Sequence, residues 1–188
     1  MKAWTFMVGC VGLIVAALPA TAQETRKWSD IDCAQSKIVA GAGLKCRSTQ
    51  VYSGSDSRIA GAGAGGQFQR WISYGPGADG GRVFFYALEA VDARSFTRPG
   101  ATLEDVVRGF NSDYKTSSGF TPLAHLKGGD YQRFTNPKGE ACVAIRKLGD
   151  SRTGGYRWLV VAGKCLPSGT SLTEADVETF LETTQFRG

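Results

Sequence analysis

The chain reads as an α+β protein: an antiparallel sheet of about five strands, two helices packed on one face, and a disulfide-stapled N-terminal segment. Three observations predict this. Strings rich in β-branched and aromatic residues alternate with Gly/Pro turn signals. Two apolar stripes at helical spacing each follow a Thr-x-x-Asp capping pattern. Four cysteines remain beyond an N-terminal apolar run.

Residues 1–22 read as a cleaved signal peptide. Lys2 supplies a positive start, "FMVGCVGLIVAAL" an apolar core, and "ATA" the small residues before Gln23. The apolar run is too short for a spanning helix, and no later segment is a candidate, so no membrane span is expected in the mature chain. The remainder, residues 23–188, fits one globular domain: a stapled segment over 23–60, continuous with an α+β portion over 61–188. Asp30 to Ala40 carries a weaker helical signal within the stapled segment.

The first hairpin joins "FQRWISY" (68–74) to "RVFFYALEA" (82–90) across "GPGADGG". A helix then starts at Thr102, with Asp105 completing the cap and Leu103, Val106, Val107, Phe110 and Tyr114 forming its stripe. "YQRFT" (131–135) turns through "NPKG" into "ACVAIRKLGD" (141–150), and "SRTGG" leads on to "YRWLVVAGKC" (156–165). A second helix starts at Thr173 with Asp176, where Leu172 staples onto Val177 and Phe180 and Leu181 continue the stripe. The order is β-β-α-β-β-β-α. The string "GGQFQRW" at 65–71 returns as "GGDYQRF" at 128–134, so each copy opens a hairpin region that precedes a capped helix, as an internal ββα duplication would produce.

The cysteines select their own partners. Placing Cys142 opposite Cys165 puts Ala144 opposite Gly163, Arg146 opposite Val161 and Asp150 opposite Arg157, and gathers Val143, Ile145, Val160 and Ala162 on one face. Cys142–Cys165 is therefore expected, and Cys33–Cys46 by elimination. An even cysteine count behind a signal peptide points to an oxidising compartment, periplasmic or extracellular; the compact signal peptide and Gly/Ala-rich composition point to a bacterium.

The formal net charge of +5 is mild and does not call for a nucleic-acid partner. Residues 126–164 hold eight Lys or Arg and three acids, while 165–188 hold one Arg and four acids, so a basic hairpin region precedes an acidic helix. "GAGAGG" (61–66) lacks the strand before it and the helix after it that a phosphate cradle needs. His125 is the single histidine, so an imidazole metal site is excluded and neither metal nor cofactor is expected. His125 remains a candidate general base, oriented by Asp130 or another acid, although no GxSxG elbow marks a nucleophile. Glu89 and Asp92, at the end of a strand string, are candidates to face a cleft.

Arginines carry the better lead. Arg70, Arg82, Arg133, Arg146 and Arg157 all fall on strand strings, interleaved with aromatics that include Trp71 and Trp158. Guanidinium groups on such a sheet clamp anionic groups and stack on rings. The expectation is a non-enzymatic, exported binding module for an anionic small molecule, a glycan or an envelope protein. The alternatives are a secreted hydrolase using His125, and a secreted inhibitor or host-interaction factor presenting the "GPGADGG" loop.

Overall fold

The computed structural model describes residues 27–39, 41, 43–53, 60–62 and 66–188. The signal peptide read over 1–22 and residues 63–65 of the glycine-rich stretch lie outside the described residues. Chain order begins with Trp28–Ile31 (β1), Ile38–Val39 (β2), Lys45–Thr49 (β3), Tyr52–Ser53 (β4) and Ala60–Ala62 (β5). The long strands Gln67–Pro76 (β6) and Arg82–Ala90 (β7) follow, then the short Thr97–Pro99 (β8) and the helix Leu103–Phe110 (α1). Ala124–Leu126 (β9), Gly129–Thr135 (β10), Ala141–Arg152 (β11) and Gly155–Cys165 (β12) lead to the helix Glu174–Thr183 (α2) and to Gln185–Phe186 (β13).

The mostly antiparallel sheet is about twice as wide as expected. Among the described residues, eleven strands join it along the path β1-β3-β6-β7-β12-β11-β10-β9, with β4 on β6 and with β8 joining β12 to β5. Part of the excess comes from pieces of two or three residues (β4, β5, β8 and β9), too short to display a period of two. The rest comes from the stapled segment, which does not sit apart but adds β1 and β3 to the sheet beside β6. The helix expected within Asp30–Ala40 is a single 3-10 turn, Cys33–Gln35, capped by the Asp32 side chain.

The helices also differ from expectation: they cover opposite faces. Leu103 and Val106 of α1 pack with Phe68, Tyr86, Leu88, Leu159 and Val161. Val177, Phe180 and Leu181 of α2 pack with Trp71, Phe85, Ala87, Val160 and Ala162. Neighbouring residues of β7 and β12 thus point into different cores. The physical sign is in "VFFYALEA": a strand wet on one side alternates, whereas one covered on both sides is apolar throughout. Residues 84–90 of β7 are all buried.

Both capping boxes form, with Thr102 accepting from the Asp105 N–H and Thr173 from the Asp176 N–H. The C-terminal end of α2 is held by Lys147 Nζ, which donates to the carbonyls of Leu181 at 2.9 Å and Thr184 at 2.8 Å. Burial there lowers the Lys147 pKa. Register through β11 and β12 is the expected one, with Cys142 opposite Cys165, Ala144 opposite Gly163 and Arg146 opposite Val161. Asp150 leaves the ladder with φ +36°, yet its carboxylate stays 3.7 Å from Arg157. The disulfides are Cys33–Cys46 and Cys142–Cys165.

The two copies of the repeated string make matching bonds. In β6, Gln69 Nε2 donates to the Thr49 carbonyl at 2.9 Å and the Arg70 N–H donates to Thr49 Oγ1 at 3.1 Å. In β10, Gln132 Nε2 donates to the Thr121 carbonyl at 2.9 Å and the Arg133 N–H donates to Thr121 Oγ1 at 3.0 Å. The second glycine of each copy answers to close approach. A Cβ on Gly66 would sit 2.6 Å from the Phe68 ring, and one on Gly129 would collide with the Arg146 carbonyl oxygen.

Candidate functional site

The cross-strand order β9-β10-β11 brings three side chains into one row. His125 lies opposite Asp130, and Asp130 opposite Arg146. Residues directly opposite one another share a face, and Arg146 in turn opposes Val161, which packs against α1. The row therefore faces the α1 side. His125 Nδ1 is 2.6 Å from Asp130 Oδ1, while Arg146 donates to Asp130 Oδ2 from Nε at 3.0 Å and from Nη2 at 2.6 Å. The orienting acid expected for His125 is thus Asp130, and the same carboxylate is committed to Arg146. The His125 side chain is 74 % exposed, against 13 % for Arg146.

Beside the row, a cleft of about 440 Å³ opens between β10–β11 and the start of α1, lined by Pro99 to Leu103, Asp105, Leu123, Gln132 and Arg146. Drug-sized ligands occupy clefts of about 300–1,000 Å³. Leu123, one of the few exposed large apolar side chains, forms part of the rim. Gln132 is held by Thr121 through its Nε2, and its Oε1 is buried with no hydrogen-bond partner among the described residues. A buried acceptor in that condition costs about 1–3 kcal/mol until a donor reaches it. The cleft is close to charge-balanced: Arg146 is compensated by Asp130, and Asp105 adds a carboxylate that accepts from Thr102 at 2.7 Å.

The five strand arginines do not converge on one point. Arg70, Arg82 and Arg146 oppose Leu88, Cys165 and Val161 on the α1 side, whereas Arg133 opposes Val143 on the α2 side. Along β7, Leu88, the partner of Arg70, lies six residues from Arg82 itself, about 20 Å. Their guanidinium groups are engaged locally. Arg70 lies 5.0 Å from the Trp28 ring and 5.3 Å from the Tyr52 ring. Arg82 pairs with Glu140 at 2.7 Å, and Arg133 donates to the Leu172 carbonyl at 2.6 Å. Burial works against the Glu140 carboxylate, but Arg82 and Asn136 outweigh it and hold its pKa below the ordinary value. Arg157 sits 3.6 Å from Glu89. Trp71 belongs to the α2-side core, and Trp158 packs on Phe186 with ring centroids 5.3 Å apart.

Glu89 and Asp92 do not line the cleft. Glu89 is 1 % exposed and bound by Lys37 Nζ at 2.7 Å. Asp92 accepts from the Ser95 hydroxyl and from the N–H groups of Arg94, Ser95 and Gln67, and these bonds, the Ser95 hydroxyl first, lower its pKa to about 2. The "GPGADGG" loop is tied down by Lys164 Nζ, 2.8 Å from Asp79, and by the Gly77 N–H donating to Gly81 O at 2.8 Å.

Of the residues singled out from the sequence, Arg146 lines the cleft while His125 and Asp130 lie beside it, and Gln132, Thr102, Asp105 and Leu123 are cleft residues the sequence did not mark as such. Asp105 completes the cap of α1 as its sequence predicts. Its second role follows from α1 starting beside β10, and no local signal carries that. No family model, no curated protein and no solved structure matches this chain.

Proposed function

We propose that this is an exported, non-enzymatic binding module whose ligand seats in the cleft between α1 and β10–β11. One observation carries the reading: a cleft of about 440 Å³ that sets the buried Oε1 of Gln132, which has no partner among the described residues, and the guanidinium of Arg146 beside apolar Pro99, Leu103 and Leu123. A hydroxyl-rich group such as a glycan residue suits these surroundings better than an anion. Its hydroxyls both donate and accept, its ring carbons cover the apolar wall, and the Asp130 pairing leaves Arg146 little uncompensated charge to attract an anion. Two disulfides are compatible with residence in the periplasm or outside the cell.

Thermal denaturation against a panel of neutral oligosaccharides and anionic metabolites tests this. A ligand present at 100 times its Kd adds about 2.7 kcal/mol of stability. Stabilisation by a neutral glycan, lost in Gln132→Leu, is the expected result. Stabilisation by anions alone, unaffected by Gln132→Leu, overturns it.

The 2.6 Å contact of His125 with Asp130 favours a second reading, a hydrolase in which Asp130 orients the ring and Nε2 acts as general base. That reading requires hydrolysis of an ester or glycoside panel that disappears in His125→Ala.

A further inference from the structure

The two disulfides sit in different surroundings. Cys142 and Cys165 are 1 % and 0 % exposed, in the core beneath α1. Cys142 borders a small cleft of about 320 Å³ without being open to it. Cys33 is partly exposed and, with Cys46, lines a cleft of about 690 Å³ together with Asp30, Asp32, Lys45 and Arg47. A disulfide is opened by a thiolate that must reach one sulfur, at a rate that rises as the leaving sulfur becomes the more stable thiolate. Both requirements are met on one side of this bond. Cys33 is the sulfur an incoming thiolate reaches. Cys46 is buried, with Ser73 Oγ at 3.3 Å. A disulfide sulfur has no proton, so Ser73 is the donor, and it is placed to hydrogen-bond the thiolate that leaves.

We propose that Cys33–Cys46 is a thiol–disulfide exchange site for dithiols, attacked at Cys33 with Cys46 as the leaving group, while Cys142–Cys165 is a permanent staple. In the first step a thiolate of the dithiol bonds to Cys33 Sγ, the Cys33–Cys46 bond breaks, and Cys46 leaves as a thiolate and takes up a proton. In the second step the other thiol of the reagent displaces Cys33, which is protonated in turn, and the reagent departs as a disulfide. Two electrons and two protons pass from the dithiol to the protein.

The fold gives this exchange a consequence. The segment closed by Cys33 and Cys46 carries Lys37, whose Nζ lies 2.7 Å from buried Glu89, and β2, which pairs with β13. Opening the bond untethers the segment that neutralises Glu89 and holds the C-terminal strand.

Dithiothreitol applied to the folded protein, followed by alkylation at timed intervals and peptide mapping, tests the proposal. Cys33 and Cys46 are expected to label at least about tenfold faster than Cys142 and Cys165. Ser73→Ala is expected to slow that labelling severalfold without moving the rate at Cys142 and Cys165. Hydrogen exchange of the partly reduced protein should show protection lost at residues 37–39 and 185–187. Equal labelling of all four cysteines, earlier labelling of Cys142 and Cys165, or an unchanged rate in Ser73→Ala overturns the proposal.

Discussion

The strings at 65–71 and 128–134 share their sequence pattern and their local bonds but not their place in the sheet. The first runs through β6, an inner strand between β3 and β7, while the second opens β10, one strand from the edge. In β6, Phe68 faces the α1 side at 0 % exposed and Trp71 the α2 side at 7 %. In β10 the faces exchange. Tyr131 packs against the α2-side cluster, and Phe134, 3 % exposed, enters the α1-side core. Each first aromatic therefore faces the helix that follows its own string. Near-identical residues in near-identical hydrogen bonds then acquire different jobs: Arg70 stacks between Trp28 and Tyr52, whereas Arg133 secures the carbonyl before α2. Local sequence sets the bond pattern, and sheet position sets what a side chain does.

The largest effect that sharpens this contrast belongs to the first aromatic. Phe68→Ala is expected to cost about 3–5 kcal/mol, since the ring is fully enclosed. Tyr131→Ala, at a half-covered position, should cost only about 1–2 kcal/mol. Urea denaturation of both variants measures the pair, and equal costs would break the distinction between inner and outer copies.

Next come the threonines, where the copies should agree. Thr49→Val and Thr121→Val each remove the hydroxyl that satisfies an arginine N–H, at about 1–3 kcal/mol apiece. A difference well beyond that range would mean that the matched bonds carry unequal weight.

Smallest is a pH effect confined to the first copy. Asp92, at a pKa of about 2 against an ordinary 3.8, accepts from the Gln67 N–H at the start of β6. Because the folded pKa is depressed, this stabilisation is complete above the unfolded value and is lost as pH falls from about 4 through about 2. Acid titrations of the wild type and Asp92→Asn should diverge above pH 4 and merge below pH 2. A gap that persists at the lowest pH would show that the mutation acts through something other than the charge.

Much of the scaffold was legible because its signals are local. The capping boxes at Thr102 and Thr173 need only residues three apart, and the β11–β12 register needs one disulfide and one apolar face. The His125–Asp130 contact was within reach for the same reason, since the two residues lie across one tight turn. The cleft was not. Its walls come from residues 99–105 and from Leu123, Gln132 and Arg146, joined only when α1 lies against the β10–β11 pair.

By itself, then, the sequence determined the long strands, the two capped helices, the cysteine pairing and the repeated string, all properties of neighbours or of a single register. The tertiary structure alone decided that the stapled segment joins the sheet, that the helices take opposite faces, and that five strand arginines disperse to local partners. Those outcomes depend on which surfaces remain to be covered once the long strands β6, β7, β11 and β12 have paired. Burial is a property of the assembled sheet, and apart from the unbroken apolar run of β7 no stretch of adjacent residues announces it.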